Sequence, residues 1–154
     1  MTRTFQIEAL TKETFNTDQM PSEWVIAKGY PGYPCRVSLQ DAQPGERVLL
    51  VHYTHHAVST PYRAAGPIYI REQAENAQFD QGVCPPFFQG RQLSMRAYTH
   101  KGYLANARVC EGVDASDSLN SLFENPKVAY VHIHFAAPGC YCCTAVPVEA
   151  GVPA

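Results

Sequence analysis

With 154 residues and a mass of 17.1 kDa, the chain is long enough for one domain with its own hydrophobic core. Apolar residues make up 45% of the sequence and charged residues 17%, which excludes an intrinsically disordered chain. The 12 lysines and arginines against 14 acidic residues give a net charge of −2, which excludes a protein that binds nucleic acid by neutralising many phosphates.

The sequence shows neither a membrane segment nor a secretion signal. No apolar run approaches the roughly 18 residues that a membrane span requires, and Met1–Glu8 lacks the apolar core of a signal peptide. We therefore expect a cytoplasmic protein of one domain, residues 1–154, without nucleic-acid or membrane partners. In a reducing compartment the six cysteines are interpreted as buried apolar side chains, metal ligands or reactive thiols rather than as a disulfide framework.

The predicted elements form an α+β domain, mainly an antiparallel sheet built from hairpins, with about two short helices. Twelve prolines and ten glycines divide the chain into short segments, which is typical of strands joined by turns. In chain order, strands are predicted at Thr4–Ala9, Trp24–Ala27, Cys35–Leu39, Arg47–Thr54, Pro67–Arg71, Leu93–Tyr98, Tyr103–Cys110, Val128–Phe135 and Tyr141–Val146. Helices are predicted at Thr11–Met20 and Asp114–Asn125.

Three of the turns predict hairpins between consecutive strands. Pro44-Gly45 joins the Cys35–Leu39 strand to the Arg47–Thr54 strand, Thr99–Gly102 forms the second turn, and Pro138-Gly139 forms the third. In the last hairpin, alternation places His132 and His134 on the same strand face.

The length of the last turn decides which cysteines join these histidines. A three-residue loop, Ala137–Gly139, pairs His134 with Cys142 and places Cys140 and Cys142 on the histidine face. A loop with an even number of residues places Tyr141 and Cys143 on the histidine face instead. We favour the three-residue loop because Gly139 suits its left-handed position and because the other face then stays apolar.

Two histidines and two cysteines on one face of a hairpin match the ligand set of tetrahedral zinc. The candidate metal ligands are therefore His132, His134, Cys140 and Cys142. The alternative is a half-exposed polar face that binds no ion. A further ligand is available from the segment His52–His56, where a continued strand places His52 and His56 on one face and His55 on the other; the alternative there is a solvated loop.

Cys35 and Arg36 follow the rigid segment Tyr30–Pro34 and predict a reactive thiol. A guanidinium beside a thiol favours the thiolate, which is the nucleophilic form. The corresponding hypothesis is an enzyme that uses Cys35 or Cys140 as nucleophile with His132 as base. The alternative is a rigid turn with Cys35 packed beneath it.

Arginines in apolar surroundings indicate a second kind of site. If several of Arg36, Arg63, Arg71 and Arg96 converge with Tyr62 or Tyr69, they form a pocket for a small anionic molecule, because the guanidinium fork matches carboxylate and phosphate. The alternative is that each arginine lies on the surface and covers apolar area with its stem.

Several segments in order resemble a bacterial family described only as a domain of unknown function, number 1203. The segments are Pro31–Leu39, Asp41-Ala42, Pro44–Leu50, Pro61–Ala64, Gly66–Ile68, Leu93–Tyr98, Val128–His132 and Gly139-Cys140. The resemblance covers almost the whole chain and implies a small single-domain bacterial protein, with no established activity or catalytic residues. Cys142 and Cys143 depart from the family's pattern, whereas Cys35 and Cys140 lie in matching segments and are a candidate thiol pair.

The leading hypothesis is a binding or sensing module for a small anionic ligand or a metal ion, with zinc as the candidate ion. The first alternative is the thiol-dependent enzyme described above. The second is a partner-binding domain without a small-molecule site. The sequence leaves open whether the protein is an enzyme, which ligand it takes and in what oligomeric state it exists.

Overall fold

The computed structural model describes residues 3–14 and 21–149. In this part of the chain the strands are β1 (Arg3–Glu8), β2 (Ser22–Ile26), β3 (Arg47–His56), β4 (Ala64–Arg71), β5 (Gln92–Tyr98), β6 (Leu104–Glu111), β7 (Tyr130–Phe135) and β8 (Tyr141–Glu149). One α-helix, α1 (Ala115–Leu122), and 3₁₀ turns at Lys12–Thr14, Pro86–Phe88 and Gly112–Asp114 complete the described elements. None of these helices has the length and apolar character needed to cross a bilayer.

The strands form two antiparallel sheets, which confirms the predicted sheet type. The larger sheet has the order β1-β8-β7-β5-β6, and the smaller has the order β2-β3-β4. The predicted helix Asp114–Asn125 forms as the shorter α1. A second helix is not confirmed, because the described part of Thr11–Met20 holds only a 3₁₀ turn and the rest lies outside the described residues.

The predicted first hairpin is wrong. Residues 35–39 form a turn, in which the Leu39 N–H donates to the Cys35 carbonyl at 3.0 Å and Leu39 has a positive φ of 51°. An extended strand does not tolerate this backbone conformation. In addition, β2 and β4 occupy both edges of β3, so the segment has no free edge to pair with there.

The main hydrophobic core lies on one face of the larger sheet, where α1 covers it. Alternate residues of β5 and β7, including Leu93, Met95 and Ile133, point into this core and are fully buried. Leu119 and Leu122 of α1 pack against them. Burial of these apolar side chains stabilises the sheet and orients the other residues of β5 and β7 to its opposite face.

On that opposite face, the end of β3 packs against the larger sheet through aromatic and imidazole rings. We refer to His55, His56, His132, His134, Tyr98, Tyr130 and Tyr141 as the histidine layer. Within it, the rings of His55 and Tyr141 are stacked with centroids 5.3 Å apart, and those of His55 and His134 meet edge to face at 5.0 Å. The two sheets therefore enclose a buried polar layer, which is where a functional site is expected.

The last hairpin differs from the predicted three-residue loop. The Phe135 N–H donates to the Cys140 carbonyl at 3.0 Å, and the Gly139 N–H donates to the Phe135 carbonyl at 2.9 Å. The turn therefore contains four residues, 136–139, and Gly139 has the expected left-handed φ of 80°.

The register of β7 and β8 follows from this even turn and from a bulge. His134 pairs with Tyr141 rather than with Cys142, and the register then shifts so that Ile133 pairs with Cys143. The extra residue, Cys142, is fully buried in the hydrophobic core. Neither parity predicted from the sequence thus holds along the whole hairpin, because a one-residue bulge reverses the faces.

Candidate metal centre

Three histidines converge within the histidine layer. His55 comes from the end of β3, and His132 and His134 come from alternate positions of β7. One ring nitrogen of each lies within 4.8 Å of a ring nitrogen of both others. The predicted pairing of His132 with His134 on one face is therefore observed, and the third member of the cluster is a histidine from the other sheet.

Each of the three carries a buried ring nitrogen that has no hydrogen-bond partner among the residues that the structure describes. These atoms are Nδ1 of His55, Nδ1 of His132 and Nε2 of His134. The neighbouring His56 differs, because its Nδ1 donates to the Tyr62 carbonyl at 2.8 Å and its Nε2 accepts from the Tyr130 hydroxyl at 2.7 Å. A buried polar atom without a partner costs free energy, so three such atoms in one cluster indicate a site that can bind a ligand.

The orientation of His134 leaves its Nε2 free to bind a cation. Its Nδ1 lies 3.0 Å from the carbonyl oxygen of Gly139. A carbonyl only accepts, so Nδ1 carries the proton and Nε2 keeps its lone pair. Metal-bound histidines commonly donate their second N–H to a carbonyl in this way, which holds the ring and selects the tautomer.

The local electrostatics keep the three imidazoles neutral. Burial, with smaller contributions from the neighbouring histidines and Arg96, lowers the pKa of His132 to about 3. Burial lowers the pKa of His134 to about 4, against the opposing effect of its Gly139 hydrogen bond, and burial together with Arg96 lowers the pKa of His55 to about 4. Neutral imidazole is the form that binds metal, so protons do not compete at neutral pH.

The spacing of the three rings fits a zinc ion after a small adjustment. Zinc–nitrogen bonds of 2.0–2.1 Å in tetrahedral geometry place ligand nitrogens about 3.4 Å apart. The nitrogens here lie within 4.8 Å of one another, so they need to approach by no more than about 1.4 Å. Three protein ligands leave a fourth position for a water or another molecule, as in catalytic zinc sites.

A cleft of about 820 Å³ reaches the histidine layer from the surface, and His55 and Tyr141 contribute to its lining. Arg36 lies in its wall with only 1% of its surface exposed. The Arg36 guanidinium donates to the Tyr141 carbonyl at 2.7 Å and to Cys140 Sγ at 3.0 Å, and it lies 5.0 Å from the centre of the Phe135 ring. Arg36 and Cys140 are therefore brought together at the edge of the candidate metal centre.

Arg96 lies beside the cluster on the same sheet face. It pairs with His132 across β5 and β7, and its charge lowers the pKa values of His55, His132 and His134. No ion pair is present at Arg96 among residues 3–14 and 21–149. Its charge thus acts on the centre without compensation by a carboxylate.

The other predicted site residues lie apart from the cluster. Cys35 is fully buried in the core of the smaller sheet, where its Sγ accepts from the Arg71 and Ser38 N–H groups. Tyr62 and Arg63 lie in the exposed connection between β3 and β4, where Tyr62 contacts the histidine layer through its carbonyl, which accepts from His56, and through its ring, 6.3 Å from that of Tyr98. The predicted convergence of the arginines therefore does not form, and only Arg36 and Arg96 approach the histidine layer.

His55 completes the cluster because of an irregularity at the end of β3. The register between β3 and β4 shifts between Tyr53 and His56, so simple alternation does not apply there. His55 and His56 consequently both reach the histidine layer. The available signal in the sequence was the pair of adjacent histidines at a strand end, but alternation alone assigned them to opposite faces.

The family model described as "Protein of unknown function (DUF1203)" matches residues 32–146. This range contains all three histidines of the cluster, together with Arg36, Arg96 and Cys140. No curated protein and no solved structure matches the chain. Because the family model covers most of the sequence, the chain belongs to the DUF1203 family.

Proposed function

We propose that the protein binds one divalent transition-metal ion, with zinc as the leading candidate, through His55, His132 and His134. The observation that carries this proposal is the set of three buried imidazole nitrogens without partners in one cluster. Imidazole suits zinc, copper, iron and nickel, and three neutral imidazoles leave an open coordination position. The protein is then a metal-dependent binding module whose open position faces the cleft.

The proposed ligand set differs from the one expected from the sequence. His132 and His134 are retained, and His55 replaces the two cysteines. Cys142 lies in the hydrophobic core and Cys140 Sγ accepts from Arg36, so neither takes part in the cluster of three ring nitrogens.

Equilibrium dialysis of metal-free protein against zinc, followed by elemental analysis, tests this proposal. We expect one zinc per chain in the unmodified protein and at least tenfold weaker binding in His55→Ala and His134→Asn, because each removes one of three ligands. His52→Ala is the matched control, since His52 lies exposed on the same strand. Absence of stoichiometric zinc, or equal binding by His55→Ala and the unmodified protein, contradicts the proposal.

A second candidate function, thiol chemistry at Cys140, is favoured by one contact. The Arg36 Nη2 donor lies 3.0 Å from Cys140 Sγ, which places a guanidinium directly beside the sulfur. We expect Cys140 to be alkylated by iodoacetamide faster than Cys110 at pH 7, as measured by mass spectrometry of the peptides. Equal rates at the two cysteines would leave the metal proposal as the sole candidate.

A further inference from the structure

A metal ion in the histidine cluster creates an unbalanced positive charge. Its three imidazole ligands are neutral, and the fixed charges that act on them come from Arg96 and Arg36. No carboxylate belongs to the cluster formed by the described residues. In a partly buried site a divalent charge is costly unless an anion compensates it, so the open coordination position favours an anionic ligand.

The cleft approaches the candidate metal centre from the side of His55, which is the one cluster histidine in its lining. Its lining contains Arg36 and Arg91 but no aspartate or glutamate among the described residues. The charge of Arg91 is already compensated by Asp41, whose two carboxylate oxygens both lie 2.6 Å from Arg91 Nη2. Within the described part of the chain, Arg36 has only two carbonyl oxygens and one sulfur as hydrogen-bond acceptors, and no carboxylate there compensates its positive charge.

Much of the remaining cleft wall is apolar. Four prolines and three alanines line it, and Leu50 and Phe135 add apolar surface. Multiply charged ions lose their hydration at such a wall without gaining donors in return. A molecule with one anionic group and an apolar body suits both the charge at the inner end and the composition of the wall, and about 820 Å³ is a typical size for a small-molecule site.

We infer that the cleft takes a small organic monocarboxylate, whose carboxylate occupies the open position of the metal while its apolar body lies along the proline and alanine wall. This inference rests on the proposed metal site. It assigns the class of ligand, and it places the carboxylate at the metal and the apolar body in the cleft. Arg36 contributes positive potential beside the carboxylate, and no chemical step is required of it.

Titration of Co²⁺-loaded protein with benzoate tests the inference, because the visible absorption of tetrahedral Co²⁺ responds to its fourth ligand. We expect benzoate to change the spectrum and to bind at least tenfold more tightly than acetate, which lacks the apolar body, and than benzyl alcohol, which lacks the charge. Metal-free protein should bind benzoate at least tenfold more weakly. Inorganic phosphate should displace benzoate poorly.

A variant that narrows the cleft separates binding in the cleft from binding at the metal alone. Ala137→Trp adds bulk to the cleft wall, while Ala107→Trp places the same side chain on the exposed strand β6. We expect both variants to bind Co²⁺ normally, and Ala137→Trp alone to lose affinity for benzoate by at least tenfold. Equal benzoate affinity in the two variants would refute binding in the cleft.

The outcomes distinguish this inference from the proposal on which it rests. If the protein fails to bind Co²⁺ and zinc, the metal site and the carboxylate site both fail. If Co²⁺ binds and the spectrum is insensitive to benzoate, or responds equally to benzyl alcohol, the metal site stands and the carboxylate inference is wrong.

Discussion

Metal-free protein is expected to lose stability steeply as the pH falls from 6.5 to 4.5. The perturbation is protonation of the buried histidines, whose pKa in an unfolded chain is about 6.5. In the folded protein burial lowers the pKa of His132 to about 3 and that of His134 to about 4. The unfolded chain therefore binds protons first, and the free energy of unfolding falls as the pH falls through this window.

The magnitude follows from these pKa values. Between pH 6.5 and 4.5, each of these two histidines goes from about half protonated to almost fully protonated in the unfolded chain. In the folded protein His132 stays almost unprotonated and His134 reaches only about a quarter of a proton at pH 4.5. Each residue therefore lowers the free energy of unfolding by about 2 kcal/mol over the two pH units. The sum of about 4 kcal/mol is a large part of the 5–15 kcal/mol that is usual for a domain. His55 contributes less to this pH dependence, because it is only partly buried and solvent screens its charge.

Urea unfolding at pH 6.5 and 4.5, in the presence of a chelator, measures this loss. In His132→Asn the difference between the two pH values should shrink by about 2 kcal/mol, whatever the stability of the variant at either pH. His100→Asn is the control, because His100 lies exposed in the turn between β5 and β6 and meets the same solvent in both states. An undiminished pH difference in His132→Asn would refute the assignment of a buried neutral imidazole at this position.

Two further predictions concern the scaffold and are measured by urea unfolding at pH 7. Gly112→Ala should destabilise the protein by more than about 3 kcal/mol, since a Cβ there meets the Phe88 carbonyl oxygen at 1.7 Å and the backbone must move. Gly29→Ala, with open space around it, should change stability by less than about 1 kcal/mol; equal effects would contradict the packing argument. Asp41→Asn should cost about 2–3 kcal/mol because it leaves the largely buried Arg91 unpaired, and a loss below about 1 kcal/mol would contradict this.

Local sequence signals were sufficient for most of the strands and for two of the three histidines of the site. Alternation in β7 places Val131, Ile133 and Phe135 in the core and therefore His132 and His134 on the other face. That result depends only on the geometry of an extended chain. The left-handed conformation of Gly139 and the hairpin between β5 and β6 were likewise predictable, because turns depend on neighbouring residues.

The same local reasoning was wrong at the two places where a register shift changes which residues pair across strands. The bulge at Cys142 moves this residue into the core, and the shift at the end of β3 brings His55 to the histidine layer. A shift of one residue reverses the face of every residue beyond it. Because a bulge costs little free energy locally, packing of the complete sheets decides where one forms. The segment 35–39 shows the same effect, because both edges of β3 are already paired.

The sequence by itself determined a mainly antiparallel fold with two histidines on one strand face, since the period of two and the turn residues act over a few positions. Only the tertiary structure decided that His55, from the other sheet, joins His132 and His134 and that Arg36 meets Cys140 beside them. These contacts join residues far apart in the chain. Their formation depends on how two separate sheets pack, which no local pattern of residues specifies.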